Sequence, residues 1–225
     1  DTGGTATLNF IGTNTADIGG RVTSDVIDAS GMTAKSSGIV TFDMTGQPPE
    51  SRTSFLNIIG SPGDDILLGD TNEITDIHAG SGIDKITGGN KNDIINGGTG
   101  ADIIDGGPGA DTLIGGHGND IFLFDTGDVD NGEKIVEGGG AGTDVISILG
   151  STDFTYMTAQ SLDSIEEIRF SGANLTATFT SEQITGETLT LTETVSGTSN
   201  LIINVTSDAI LDLSGISAST FTNGV

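Results

Sequence analysis

From Gly88 onward the chain repeats itself every nine residues. Gly88–Asn96, Gly97–Asp105, Gly106–Ile114 and Gly115–Leu123 run four times without a gap. Each has two glycines, a free position, usually a third glycine, another free position, an aspartate, and an apolar residue two places after it. A period this short rules out a helix–turn–helix unit and leaves about three extended residues per repeat. Glycine allows the positive φ of a tight turn, and the apolar position faces inward from a short strand. Two repeats make one coil of eighteen residues with a turn on each side. Turns one coil apart stack at the strand spacing of about 4.8 Å. The spacing predicts stacked pairs Asp65 with Asp84, Asp84 with Asp102, Asp93 with Asp111, and Asp102 with Asp120. Asp65 lies nineteen residues before Asp84, which makes that pair the least regular.

Imperfect copies flank the regular four. Gly60–Leu68 fits well. Gly69–His78 is ten residues long and, counted from its first glycine, puts Ile74 in the aspartate position. Ala79–Thr87 restores the phase, and Lys91 replaces the third glycine of the repeat at Gly88. After Phe124 the period breaks, and Asp125, Asp128, Asp130 and Glu133 follow in an acidic stretch. That stretch reads as a solvated loop, with an additional cation site as the alternative. Gly139–Ser147 repeats the pattern once more, and two arrangements suit its Asp144: stacking on an earlier turn after an excursion, or standing alone.

The nonapeptide resembles the calcium-binding repeat of the RTX family. The resemblance implies an all-β chain, a parallel β-roll or β-solenoid with several calcium ions between stacked turns. It assigns metal-binding roles to Gly63 and Asp65; to Gly80, Gly82 and Asp84; and to Gly89 and Asp93. It does the same for Gly97, Gly98, Gly100 and Asp102; for Gly106, Gly107, Gly109 and Asp111; for Gly115, Gly116, Gly118 and Asp120; and for Asp144. Calcium bonds oxygens at about 2.3–2.6 Å, so one ion reaches ligands on two stacked turns. Stacked carboxylates without a cation between them would repel strongly.

Composition agrees with this. The formal charge is −25, which argues against nucleic acid and anionic membrane surfaces and for cations. Aromatic residues make up 4% and Trp is absent, so a large globular core is hard to build, whereas thin aliphatic layers are not. There is no Cys, so neither disulfides nor thiolate sites are available. No apolar run approaches a membrane span, and direct insertion is not expected. The start at Asp1 and the end at Val225 read as those of a fragment of a longer protein.

Residues 1–59 and 150–225 are rich in Thr, Ser, Gly and β-branched residues. Alternating stretches predict strands at Thr7–Ile11, Val26–Met32, Ile39–Asp43, Leu56–Ile59, Ile168–Gly172, Leu175–Phe179, Leu189–Leu191, Leu201–Ile203 and Ile210–Leu213. Short helical turns are expected near Ala159–Ser164 and Ser181–Gln183. Ile210–Ile216 echoes Val26–Met32, so both flanks are expected to continue the solenoid around a calcium-binding roll at 60–149; a separate β-sandwich is the alternative.

Catalytic signatures are missing. His78 and His117 lack helical pairing, no Gly-x-Ser-x-Gly occurs, and Tyr156 alone offers little for stacking a sugar. The expectation is a non-enzymatic module that couples calcium to folding outside the cell, exported by type I secretion as the RTX resemblance implies. The Thr/Ser-rich flanks are similar to calcium-binding regions of bacterial surface-layer proteins, which implies self-association into a lattice. The alternatives are the folding module of a type I secreted protease, lipase or epimerase, and a segment of an RTX adhesin.

Overall fold

A computed structural model of the chain describes residues 55–137, 142–205 and 212–218, together with the strands Ala6–Leu8, Ser24–Asp28 and Val40–Asp43. The predicted strands at Thr7–Ile11, Val26–Met32 and Ile39–Asp43 fall partly outside these residues.

Strands are numbered along the chain, and odd and even ones form separate walls. One ten-stranded parallel sheet holds β1 (Ala6–Leu8), β3 (Val40–Asp43), β5 (Asp65–Leu68), β7 (Lys85–Thr87), β9 (Ile103–Asp105), β11 (Ile121–Phe124), β13 (Val145–Ile148), β15 (Glu167–Phe170), β17 (Thr190–Glu193) and β19 (Ser217–Ala218). Facing it, β2 (Ser24–Asp28), β4 (Phe55–Ile59), β6 (Thr75–Ser81), β8 (Ile94–Thr99), β10 (Thr112–His117) and β12 (Lys134–Glu137) form a six-stranded parallel sheet. A third, of β14 (Thr152–Asp153), β16 (Thr176–Thr180) and β18 (Asn200–Asn204), serves the later coils. The molecule is a β-solenoid, and strands of both flanks join the sheet that carries the repeats.

The register shows how the repeat sets the coil. Lys85 pairs with Ile103 and Ile103 with Ile121, each eighteen residues on. Ile66 pairs with Lys85, nineteen on. Beyond the repeats the step widens, to twenty-four from Ile121 to Val145 and twenty-two from Val145 to Glu167. Alternate residues of each strand turn inward, and the apolar ones stack. Leu67, Ile86, Ile104, Phe122, Ile146, Ile168 and Leu191 make one fully buried column. Ile58, Ile77, Ile95, Leu113 and Ile135 make the other.

The columns alone suffice while coils are eighteen residues long. Past β11 the wider coils are filled by Phe124, Phe154, Phe170 and Phe179. Phe154 meets the edge of Phe124 at 5.2 Å and stacks on Phe179 at 4.6 Å. Here the second sheet stops at β12. A 3-10 turn at Ala159–Leu162 and the short helix α1 (Ser181–Ile184) replace its wall, close to where helical turns were expected. Another 3-10 turn, Phe154–Tyr156, was not anticipated. Thr180 and Gln183 cap α1 reciprocally, and Gln183 Nε2 donates to the buried carbonyls of Phe154 (2.8 Å) and Met157 (3.1 Å). Among the described residues no helix is long and apolar enough to cross a membrane.

One strand expectation needs correction. Ile210 and Leu211 lie outside the described residues, and Asp212 and Leu213 are not in a strand. Asp212 Oδ1 instead accepts the Ser214 N–H (2.9 Å), and the Ile216 N–H donates to Leu213 O (3.0 Å). This turn delays the last strand to Ser217–Ala218.

Candidate metal centre

The aspartate of each repeat opens or immediately precedes a strand, two residues before the buried apolar position, so its side chain also turns inward. Asp84, Asp93, Asp102, Asp111 and Asp120 are at most 1% exposed. They form two ladders, one along each edge of the roll. In the first, the Asp65 N–H donates to Asp84 Oδ1 (2.7 Å), Asp84 N–H to Asp102 Oδ1 (2.8 Å), and Asp102 N–H to Asp120 Oδ1 (2.9 Å). In the second, the Thr75 N–H donates to Asp93 Oδ1 (2.6 Å) and the Asp93 N–H to Asp111 Oδ1 (2.7 Å). All four expected stacked pairs are present, including the irregular one.

Both ladders run past the regular repeats. The Asp120 N–H donates to Asp144 Oδ1 (2.8 Å), so Asp144 stacks on an earlier turn after an excursion. The Asp144 N–H donates in turn to Glu166 Oε2 (2.8 Å). On the other edge the Asp111 N–H donates to Glu133 Oε2 (2.6 Å). Glu133 is 1% exposed, which corrects the reading of the whole acidic stretch as a solvated loop. Glu133 and Glu166 were not recognised as ladder residues. The available signal was an acid, a free residue and an isoleucine, Glu133-Lys134-Ile135 and Glu166-Glu167-Ile168, each acid twenty-two residues after its partner.

A second correction concerns the ten-residue unit. Leu56 pairs with Thr75 and Asp76 with Ile94, so Thr75, not Ile74, stands in the aspartate position. Thr75 is fully buried, and its Oγ1 accepts the Asp70 N–H (3.2 Å). The extra residue is absorbed in the turn, because slipping the strand by one would turn Ile77 outward.

Each central carboxylate thus spends one oxygen on the backbone of the preceding coil. The other oxygen has no hydrogen-bond partner: Oδ2 of Asp84, Asp93, Asp102, Asp111 and Asp120, and Oε1 of Glu133. Buried carboxylate oxygens rarely go unpaired, since desolvating them costs several kcal/mol. Burial pushes the carboxyls up, to about 7 for Asp84, 8 for Asp93, 6 for Asp102 and 7 for Asp111. The donated N–H bonds partly offset this, and the stacked neighbours add to it, as Asp102 does for Asp84 and Asp111 for Asp93.

The glycines keep this space open. A Cβ on Gly88 would come within 2.7 Å of both Asp93 Oδ2 and Gly106 O. On Gly97 it would come within 2.5 Å of Asp102 Oδ2 and 2.8 Å of Gly115 O. Ala79 holds the corresponding place before Asp84, so the oxygen-lined space is most open beside Asp93, Asp102 and Asp111. Gly82, at φ +130°, passes so close to the turn below that a Cβ would lie 2.5 Å from Gly63 C. Gly80, Gly89, Gly98, Gly100, Gly107, Gly109, Gly116 and Gly118 also take positive φ, whereas Lys91 does not and is tolerated at its glycine position. Gly60 and Gly88, absent from the expected set, flank Asp65 and Asp93 as Gly97 flanks Asp102. Gly139, Gly140 and Ala141 lie outside the described residues.

Among the described residues no three His, Asp or Glu side chains converge on one point. The ladders offer instead one acid oxygen per turn and the carbonyls of glycine-rich backbone. This all-oxygen set suits calcium, which accepts 6–8 oxygens in flexible geometry. The RTX calcium-binding nonapeptide repeat (four copies) matches residues 78–113 and 97–128. No curated protein and no solved structure gives a significant match to the chain. The match covers Asp84, Asp93, Asp102, Asp111 and Asp120, whose second carboxylate oxygens lack partners, and over residues 78–128 the chain carries the RTX calcium-binding nonapeptide repeat.

Proposed function

We propose that this chain is the calcium-binding structural module of a secreted bacterial cell-surface protein, which folds and then assembles on meeting extracellular calcium. The observation that carries the reading is the phase of the unpartnered acid oxygens: one per coil on each edge of the central roll, always facing the inside of a turn. Asp84, Asp93, Asp102, Asp111 and Asp120 would hold the ions through these oxygens, with carbonyls of the glycine turns. When bound, calcium supplies the positive charge that lets adjacent buried carboxylates ionise together.

The residues do the rest. Each Asp fixes the N–H of the coil before it and aims its second oxygen into the space that glycine keeps open. Unfolded, the same acids are far apart and hydrated, so the sites exist only when coils stack, and binding free energy becomes folding free energy. Extracellular calcium modules work at about 10⁻⁴–10⁻³ M, a range in which a chain scarce in counter-ions inside a cell would close outside it. RTX proteins are generally exported by type I secretion, and we assign this chain the same route.

A structural rather than catalytic role is supported by the flanks. Strands on both sides of the repeats extend the same ten-stranded sheet, as an extended surface-layer element needs and an appended folding module does not. The test is a calcium titration of the purified chain followed by circular dichroism and light scattering together. A gain of β-structure with growth to large particles supports the surface-layer reading. The same gain at constant monomer mass moves the assignment to a folding module of a secreted enzyme or an adhesin. Full β-structure in chelator refutes the coupling.

A further inference from the structure

We propose that Glu133 and Asp111 hold a calcium ion beyond the nonapeptide repeats, so that this row of sites extends one coil past its motif. The proposal rests on the reading that the repeats bind calcium. Lys134 pairs with Thr112, which sets Glu133 opposite Asp111 as Asp111 is set opposite Asp93. The backbone repeats as well: the Lys134 N–H donates to Asp111 O (3.0 Å) as the Thr112 N–H donates to Asp93 O (2.8 Å). Glu133 therefore occupies an aspartate's place and makes an aspartate's hydrogen bond to the coil below.

What marks it as a ligand is its other oxygen. Glu133 Oε1 and Asp111 Oδ2 are both buried, lie on adjacent coils, and have no hydrogen-bond partner. The charged groups acting on Glu133 are Asp111, Asp128 and Asp130, all of them acids. Asp128 stands five residues before Glu133, where a repeat has its first glycine, and is itself buried. Its Oδ2 accepts the Asp125 N–H (2.5 Å), which ties down the excursion over this turn.

Earlier in the same row, coils stack without an acid at the inward place. There the inward places are taken by Leu56 and Thr75, both buried and neutral. A buried glutamate with one unused oxygen is a poor cap beside that solution, but a good ligand. Acid and carbonyl oxygens without nitrogen or sulfur select a hard divalent ion, and the mixed Asp/Glu geometry suits calcium better than the strict octahedron of magnesium.

The test counts bound calcium on the full chain by calorimetry and equilibrium dialysis, with circular dichroism in calcium and in chelator. Wild type is compared with Glu133→Gln, Glu133→Leu, Glu133→Asp and, as a control, the exposed Asp125→Asn. Glu133→Gln and Glu133→Leu should each lose one ion, with the midpoint of the others moving less than about twofold. In chelator Glu133→Gln should retain at least wild-type β-structure, because it keeps an oxygen for the Asp111 N–H and removes a carboxyl that burial disfavours. Glu133→Asp and Asp125→Asn should keep the full count. An unchanged count in both neutral variants overturns the proposal, and so does reduced β-structure in chelator with the count intact, which would make Glu133 a structural cap. If Glu133→Gln does not fold, Glu133→Leu decides by its count alone. Failure of wild type to take up calcium would instead sink the reading of the repeats.

Discussion

Replacing Asp102 by Ala should raise the calcium midpoint of folding at least about three- to fourfold. Asp102 lies within a ladder, taking the Asp84 N–H at 2.8 Å and giving its own N–H to Asp120 Oδ1. The substitution removes a hydrogen bond to a charged group and leaves a buried N–H unpaired, together about 3 kcal/mol. If about four ions bind together, each tenfold change in calcium alters stability by about 5.6 kcal/mol, and the midpoint shift follows. Asp65→Ala is the comparison. The Asp65 carboxylate takes the N–H and Oγ–H of Ser61 in its own turn (2.6 and 2.8 Å). Its N–H bond to Asp84 is made by the backbone and survives, but the buried Ser61 loses its acceptor, so the midpoint shifts here too. The variants should differ in ligation. Both Asp65 oxygens are taken by Ser61, so Asp65→Ala should keep every bound ion, whereas Asp102→Ala should lose at least one. The assay is far-UV circular dichroism against buffered free calcium at pH 8. The penalty should shrink in chelator, because there Asp102→Ala also removes a carboxylate that burial disfavours. Equal numbers of bound ions in the two variants, counted by equilibrium dialysis, would refute the ladder argument.

Without calcium the fold should depend on pH. Burial raises the carboxyls of Asp84, Asp93 and Asp111 from 3.8 to about 7, 8 and 7, so the folded chain binds more protons than the unfolded one. Their contribution is fully present below about pH 4 and is lost as pH rises through about 7–8; dichroism in chelator should show more β-structure at pH 5 than at pH 8.5, and calcium binding at pH 7 should release protons to a weakly buffered solution. Gly82→Ala, at φ +130° and against Gly63, should cost about 1–3 kcal/mol, read as a lower urea midpoint in saturating calcium. Gln183→Ala strands the carbonyl of Met157, removes one of the two donors to Phe154 O, and should cost about 2 kcal/mol, lowering thermal stability while the number of bound ions stays the same.

The repeats could be read directly because one physical requirement acts on every ninth residue. A turn that must pass close to its neighbour demands glycine, and a strand that must present an acid and then an aliphatic residue inward demands Asp-x-apolar. Where only the strand half of the rule survives, the pattern is faint. Glu133 and Glu166 keep the acid and the isoleucine, but their turns are longer and not glycine-rich, so counting from glycine misses them. Thr75 was missed for the same reason: counting forward from Gly69 gives Ile74, whereas counting back from the buried Ile77 gives Thr75. Phase is held by the strand and length is absorbed by the turn. The later coils were harder still, because Phe154 and Phe179 stack across a wall made of a helix and a third sheet, and no local period announces a contact between residues twenty-five apart.

The hydrogen bonds of the ladder all point one way. Asp84, Asp102, Asp120 and Asp144 on one edge, and Asp93 and Asp111 on the other, each grip the backbone of the coil that precedes them in sequence and are gripped by the acid that follows. The roll is therefore a template with a direction. A chain emerging with its C-terminal end first would present each new coil with an acceptor already fixed in place, so growth would proceed one coil at a time onto a finished edge. A chain emerging the other way would bring in each new coil with its own acid still free to turn, seeking an N–H already fixed in the coil before it. Order of exposure, as much as calcium, would then set how fast such a chain closes.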